Sequence, residues 1–338
     1  MINRRQTLSL AGAAAASWVL PLSAQSADDR KLSMLVGFPP GGAPDTVARA
    51  IGVALKNQGL TALVENKAGA GGRIAVDALL KAPADGTTVL LLPAGTLTIY
   101  PHIYSNLRFD PLADLVPVAT GCELQFGMAV GPAVPESVKT VKDFLAWCKA
   151  NPAKAQFGTP GAGTAMHFIA MELARMGKVP LQHIPYRGGA PALTDAMGGQ
   201  VAAVFTTLPL LVQPHKGGKV RILAHSGEQR PQALPDVPTF KEAGFPSLTM
   251  SEMFVFVASA KTPAAVQKQL ATAFNAATST SSLKEGPAAA EDEGLSLAQG
   301  GMAMAQANTP AADAADEAEP AIVVTGSRID RNFDTPTP

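Results

Sequence analysis

The stretch Leu32-Ser33-Met34-Leu35-Val36-Gly37-Phe38-Pro39-Pro40-Gly41-Gly42-Ala43-Pro44-Asp45 starts as an apolar run of strand length and stops at two prolines and two glycines. Beyond it Val47, Ile51, Ala54 and Leu55 recur at helical spacing, so the segment reads as strand, tight loop and helix. Pro44 suits the first helical position and Asp45 puts negative charge in the first turn. Short runs at 62–64 and 89–92 predict further strands, with a helix over 74–81 between them. The pattern resumes after about residue 128, with a helix over 141–149, a strand over 155–158 and the loop Thr159-Pro160-Gly161-Ala162-Gly163-Thr164. A helix follows with Ala165, Ile169, Leu173 and Met176 on one face, then strands at 181–184, 201–205 and 220–224. Strands alternating with helices predict an α/β fold of two units, each a mostly parallel sheet covered on both faces, meeting at a crevice.

The 338 residues are enough for two ordinary domains, and two cysteines are too few for a disulfide-stapled scaffold. Net charge is zero, but residues 286–338 hold nine acidic side chains against two basic ones, leaving the preceding body at +7 and this tail at −7. An excess of +7 is too dilute for a nucleic-acid reader and suits a small anionic ligand. At the other end, Arg4 and Arg5 precede an apolar run from Leu8 to Leu22 and small residues around Ser23 to Ala27, the order of an export signal cleaved after Ala24 or Ser26. The run is shorter than the roughly 20 residues a membrane span needs, so a soluble periplasmic protein is expected. There Cys122 and Cys148 either pair or stay as buried thiols.

Enzyme signatures fail in turn: no Gly-x-Ser-x-Gly elbow, His-Glu-x-x-His, Cys-x-x-Cys or phosphate loop is present. The five histidines show no metal-ligand spacing, and no cofactor is expected. The loops at 39–42 and 159–164 are more informative. Each ends a strand and opens a helix, leaving unpaired N–H groups at the positive end of the helix dipole, which suits either an anion or the plain turn geometry that glycine serves at such places.

At these residues the sequence resembles the solute-binding receptors of tripartite tricarboxylate transporters, known as Bug-type receptors. The matching segments are Val36-Gly37-Phe38-Pro39-Pro40-Gly41-Gly42 with Asp45, Val64-Glu65-Asn66-Lys67 with Gly69-Ala70-Gly71-Gly72, and Phe157-Gly158-Thr159-Pro160-Gly161-Ala162-Gly163-Thr164. Pro185-Tyr186-Arg187-Gly188 with Asp195, and Leu234-Pro235-Asp236-Val237-Pro238-Thr239, continue the match, which runs from about residue 30 to 285. The resemblance implies a two-lobed periplasmic binding protein of type II-like fold, with a signal peptide over 1–26, lobe 1 over 27–127 plus 249–285 and lobe 2 over 128–248. It implies capture of a small carboxylate, a dicarboxylate, tricarboxylate, amino acid or aromatic acid, for delivery to membrane permease subunits, without catalysis.

The implied ligand residues are Pro40, Gly41 and Gly42 on one lobe, Thr159, Gly161, Gly163 and Thr164 on the other, and Gly95 and Thr96 at the same cleft. Asp45 either caps its helix or holds a polar group of the ligand. Tyr186 and Arg187 are also implied at the ligand, with Arg187 either pairing with a carboxylate or pinning the loop around Tyr186, and His167 is read as a packing histidine. Thr206-Thr207 replace a polar pair often found in the family and keep hydroxyl donors there. Residues 286–338, rich in Ala, Gly, Pro and acids, are expected to be disordered, and those from Ala321 to Pro336 look like the opening of a TonB-dependent receptor plug joined to a shortened receptor. A secreted enzyme acting on a similar acid and a tail-mediated interaction module are the rival readings.

Overall fold

The computed structural model describes residues 30–279 and 295–296. The signal peptide, its cleavage point and the plug-like segment lie outside the described residues. Strand β1 (Arg30–Val36) lies between β2 (Leu60–Asn66) and β3 (Thr88–Pro93), parallel to both. With neighbours on both sides and helices over its faces, β1 buries Leu32, Met34, Leu35 and Val36, which is why it reads as a continuous apolar run. Helix α1 (Ala43–Leu55) lays Val47, Ala48, Ile51, Ala54 and Leu55 onto this sheet and turns Val53 outward. Pro44 is its second residue. Helix α2 (Arg73–Lys81) carries the chain from β2 to β3, and the short helices α3 (Gly95–Thr98) and α4 (Tyr100–Ile103) follow β3.

The sheet is completed by β4 (Leu115–Leu124), by β10 (Glu252–Ser259) and by two further residues, β11 (Leu295–Ser296), in the order β11-β4-β10-β3-β1-β2. Strand β10 runs antiparallel to both β3 and β4. Leu295 and Ser296 fall in the segment expected to lack structure, yet they pair with Leu124 and Glu123, taking up the free edge of β4.

A single residue, Gln125, separates β4 from β5 (Phe126–Val130), the central strand of the second sheet's antiparallel half. This sheet has the order β7-β6-β8-β5-β9, with β6 (Gln156–Thr159), β7 (Gln182–Pro185), β8 (Ala203–Thr207) and β9 (Arg221–His225). Its helices are α5 (Val141–Ala150), α6 (Ala165–Gly177), α7 (Gly189–Met197) and α8 (Leu208–Lys216). Helix α9 (Ala264–Thr278) returns to the first lobe, where Leu270, Phe274 and Ala277 are buried. The two-lobed α/β arrangement is as expected, but both sheets are mixed rather than mostly parallel. Strands β4, β5 and β10, which bring the chain from one lobe to the other and back, are paired antiparallel.

The lobes are joined where β4 passes into β5 and where the chain returns to β10. Ser226 bridges the two crossings: its hydroxyl accepts from Phe126 N at 2.9 Å and donates to the Met250 carbonyl at 2.6 Å. Cys122 in β4 and Cys148 in α5 are both free and buried, so the thiol alternative holds in this structure. Burial pushes the Cys148 thiol up to about 12, leaving it protonated and unreactive.

Candidate functional site

Three helix starts meet at one small cavity. Gly42, Ala43 and Pro44 line it from the start of α1, Gly189 and Ala190 from α7, and Thr206 and Thr207 from the start of α8. These helices have 13, 9 and 9 residues, long enough for their dipoles to act on an anion, with a proline in each first turn (Pro44, Pro191, Pro209) and Leu208 N already bonded to the Gln125 carbonyl, so few free N–H groups remain there. Phe38, Pro93, Met166, Leu210 and Phe254 supply apolar walls. The cavity has about 30 Å³ of room for the centres of water molecules, which is space for about two or three waters.

Thr207 is the N-cap of α8, yet its hydroxyl makes no capping bond and has no partner among the described residues, although it is buried. A buried hydroxyl without a partner is costly, and beside a cavity it is poised to bond a ligand. The residues that line the cavity include no lysine, arginine or histidine; the one ionisable side chain is Glu252, at the start of β10. Its carboxylate accepts from Gly95 N at 3.2 Å, and burial pushes its pKa up to about 7.

Of the expected ligand residues, Gly42 and Thr207 line the cavity. Pro40 and Gly41 sit on the exposed outer side of their loop. Gly41 has a φ of 80° and donates its N–H to Asp45 Oδ2 at 3.0 Å. Asp45 is buried and also accepts from Arg49 Nε and Asn66 Nδ2, each at 3.0 Å. Burial raises the Asp45 pKa, but the bonds from Arg49, Gly41 and Asn66 outweigh it and bring the carboxyl below its ordinary value. Asp45 therefore secures the loop ahead of α1 by fixing both Gly41 and, through Asn66, the end of β2.

The second loop is tied in the same manner. Thr159 Oγ1 donates to the Gly161 carbonyl at 3.0 Å and lies 2.7 Å from His183 Nε2, while Thr164 Oγ1 bonds the same carbonyl and caps α6 through His167 N. Both threonines thus shape their loop with their own hydroxyls. Gly161 and Gly163 bring the loop against the first lobe: a Cβ on Gly161 would stand 3.6 Å from Gly71 Cα, and one on Gly163 would stand 2.5 Å from Ile103 Cδ1. Tyr104 donates across this seam to the Ala162 carbonyl at 3.0 Å.

Gly95 touches the cavity through Glu252, and Thr96 beside it is buried. Tyr186 donates its hydroxyl to Asp195 Oδ2 at 2.7 Å, whereas Arg187 is exposed and has no hydrogen bond or ion pair with a described residue. His167 accepts from Gly163 N through Nδ1 and stacks on His183, their ring centroids 3.9 Å apart, as a packing histidine does. The sequence reading missed Glu252, Gly189 and Ala190; Gly189 follows the quoted Arg187-Gly188 directly and was the one within reach of a motif.

Residues 47–309 match the family described as the tripartite tricarboxylate transporter family receptor, a match that continues beyond residue 285. Protein BugT of Bordetella pertussis is 32% identical over 247 residues, 72% of this chain and 75% of the relative. The structure of periplasmic binding protein BugD is 29% identical with a TM-score of 0.74, covering 80% of this chain and 88% of that one. MatC from Rhodopseudomonas palustris, solved with bound malate, is 27% identical with a TM-score of 0.73 over 79% of this chain and 90% of its own. With its two mixed-sheet lobes and the helix starts gathered between them, the chain belongs to the receptor family of tripartite tricarboxylate transporters, whose members are substrate-binding proteins.

Proposed function

We propose that this receptor captures a small organic anion in the periplasm, seating its carboxylate on the starts of α1, α7 and α8, and presents it to permease subunits in the membrane. The observation that carries the reading is the convergence of three helix starts and the unpartnered Thr207 hydroxyl on a cavity without a cationic side chain. Backbone N–H groups and helix dipoles then do the work an arginine would otherwise do. Malate in the similar MatC supports a carboxylate as ligand class. Among the described residues no helix is long and apolar enough to cross a membrane, in keeping with a receptor that hands its cargo to separate subunits.

A ligand larger than two or three waters enters only if the lobes part, because Tyr104 and Ala162 close the seam and Gly188 lies against Pro39. The permease is then able to read occupancy, since a ligand that contacts both lobes favours the closed form.

The test is a thermal-shift screen against mono-, di- and tricarboxylates and amino acids. A ligand at a hundredfold excess over Kd adds about 2.7 kcal/mol to the stability. Gly42→Val is the matching variant: a Cβ there meets Pro39 O at 3.6 Å and Pro44 Cδ at 3.7 Å, ordinary contacts, so the methyl groups occupy the ligand's space. We expect the variant to fold at a cost of about 1 kcal/mol at the helix start and to lose the ligand-induced shift. A cooperative melt that no carboxylate moves would overturn the reading.

A further inference from the structure

The cavity makes two opposite demands. Helix starts at Gly42, Gly189 and Thr207 favour a negative group, while Glu252, 8% exposed and lining the same cavity, disfavours one. Glu252 forms no ion pair with a described residue, and its hydrogen-bond partners are the neutral backbone N–H groups of Gly95, Met253 and Ala94. The titratable groups that interact with it, the Tyr100 hydroxyl and the Cys122 thiol, are both held protonated and neutral by burial. Neither supplies a positive charge, so a cationic partner for this carboxylate is left for the ligand to bring.

Resting on the reading of this cavity as the ligand site, the geometry points to Glu252 as a specificity-determining residue that selects a carboxylate also bearing a protonated amine, the charge pair of an amino acid. The carboxylate answers the helix starts and the ammonium answers Glu252. A dicarboxylate satisfies the first and meets repulsion at the second. The amine also reverses the proton traffic: because burial raises Glu252 to about 7, an arriving ammonium ionises it and expels a proton, whereas an arriving second carboxylate draws one in.

The experiment is isothermal titration calorimetry on the full mature chain with pairs of acids that differ by the amine: L-glutamate against glutarate and L-alanine against propionate. Each is run at pH 6.5 in buffers of different ionisation enthalpy. We expect the amine-bearing member of at least one pair to bind tenfold or more tightly than its partner, with release of protons. In Glu252→Gln that preference falls at least tenfold. Amine-free acids that bind equally well would overturn the role of Glu252, and so would amine-bearing acids that bind without releasing protons or an unchanged preference in the variant. Should the variant not fold, the ratio within each pair and the sign of proton exchange in the wild type decide the matter. Binding by no acid of either kind, here and in the wider carboxylate screen, strikes instead at the cavity's assignment as the ligand site and removes both readings.

Discussion

Between pH 6.5 and about 4 the protein loses about 3 kcal/mol of stability net, with buried histidines as the cause. His183 stacks against Phe157 and His167, at centroid distances of 5.0 and 3.9 Å, and its pKa is pushed down to about 3 by burial first and by His167 second. His225 is fully buried, accepts from Gly227 N through Nδ1, and leaves Nε2 without a partner among the described residues. Burial is the main cause of its descent to about 4. The unfolded chain takes up these protons near pH 6.5 and the folded one refuses them, so their contribution is complete above 6.5 and drains away as pH falls. At about 1.4 kcal/mol per unit, the full loss is about 5 kcal/mol for His183 and about 3 for His225.

Glu252 opposes them. Its folded value of about 7 lies above the ordinary carboxyl value, so its contribution is present at low pH and lost as pH rises through 7. The balance puts maximal stability near pH 6 to 7. Urea midpoints measured from pH 7.5 to 4 should fall on the acid side, less steeply in His183→Gln and more steeply in Glu252→Gln. A profile that neither variant alters would show that these groups titrate alike in folded and unfolded chains.

Gly188→Ala should weaken ligand binding by about a hundredfold or more, which is about 2.7 kcal/mol. Gly188 has a φ of 146°, and a Cβ there would stand 2.6 Å from Pro39 Cδ and 3.1 Å from its Cγ. A pyrrolidine ring does not swing aside as a long flexible chain does, so the added methyl wedges the lobes at the rim of the cavity. At φ 146° and ψ 169° a residue with a Cβ costs on the order of 1–3 kcal/mol of stability by itself, so the melting temperature of Gly188→Ala is measured beside its affinity to separate backbone strain from wedging. Small-angle scattering of Gly188→Ala with ligand should retain the larger radius of the parted lobes. Wild-type affinity in this variant would mean that closure does not need the Pro39 contact.

The first lobe's β1, α1, β2 and β3 were legible because each holds a regular apolar period between clear breakers. Strands β4 and β10 were not: Pro117 and Gly121 interrupt the β4 sequence, and β10 earns its place by pairing with strands distant in the chain. Helix α8 contains Pro209 and Pro214, which mask its period. In the site, glycine loops announced Gly42, and the threonine pair announced Thr207. Glu252 gave no signal, because its meeting with Gly95 spans 157 residues and depends on β10 returning beside β3. Arg187 shows the reverse: a guanidinium is conspicuous in a sequence, but its loop leaves it in solvent.

The Ser226 bridge bears on the mechanics of gating. Phe126 and Met250 belong to the two chain crossings between the lobes, and Ser226 holds both, through its hydroxyl and through main-chain bonds of 2.8 Å to each. Two strands tied side by side bend readily about the line that joins them but resist twisting, since a swivel about either one would drag the other through its hydrogen bonds. Bending is thereby favoured over swivelling, and lobes that part and close by bending bring the starts of α1, α7 and α8 back into the same registry.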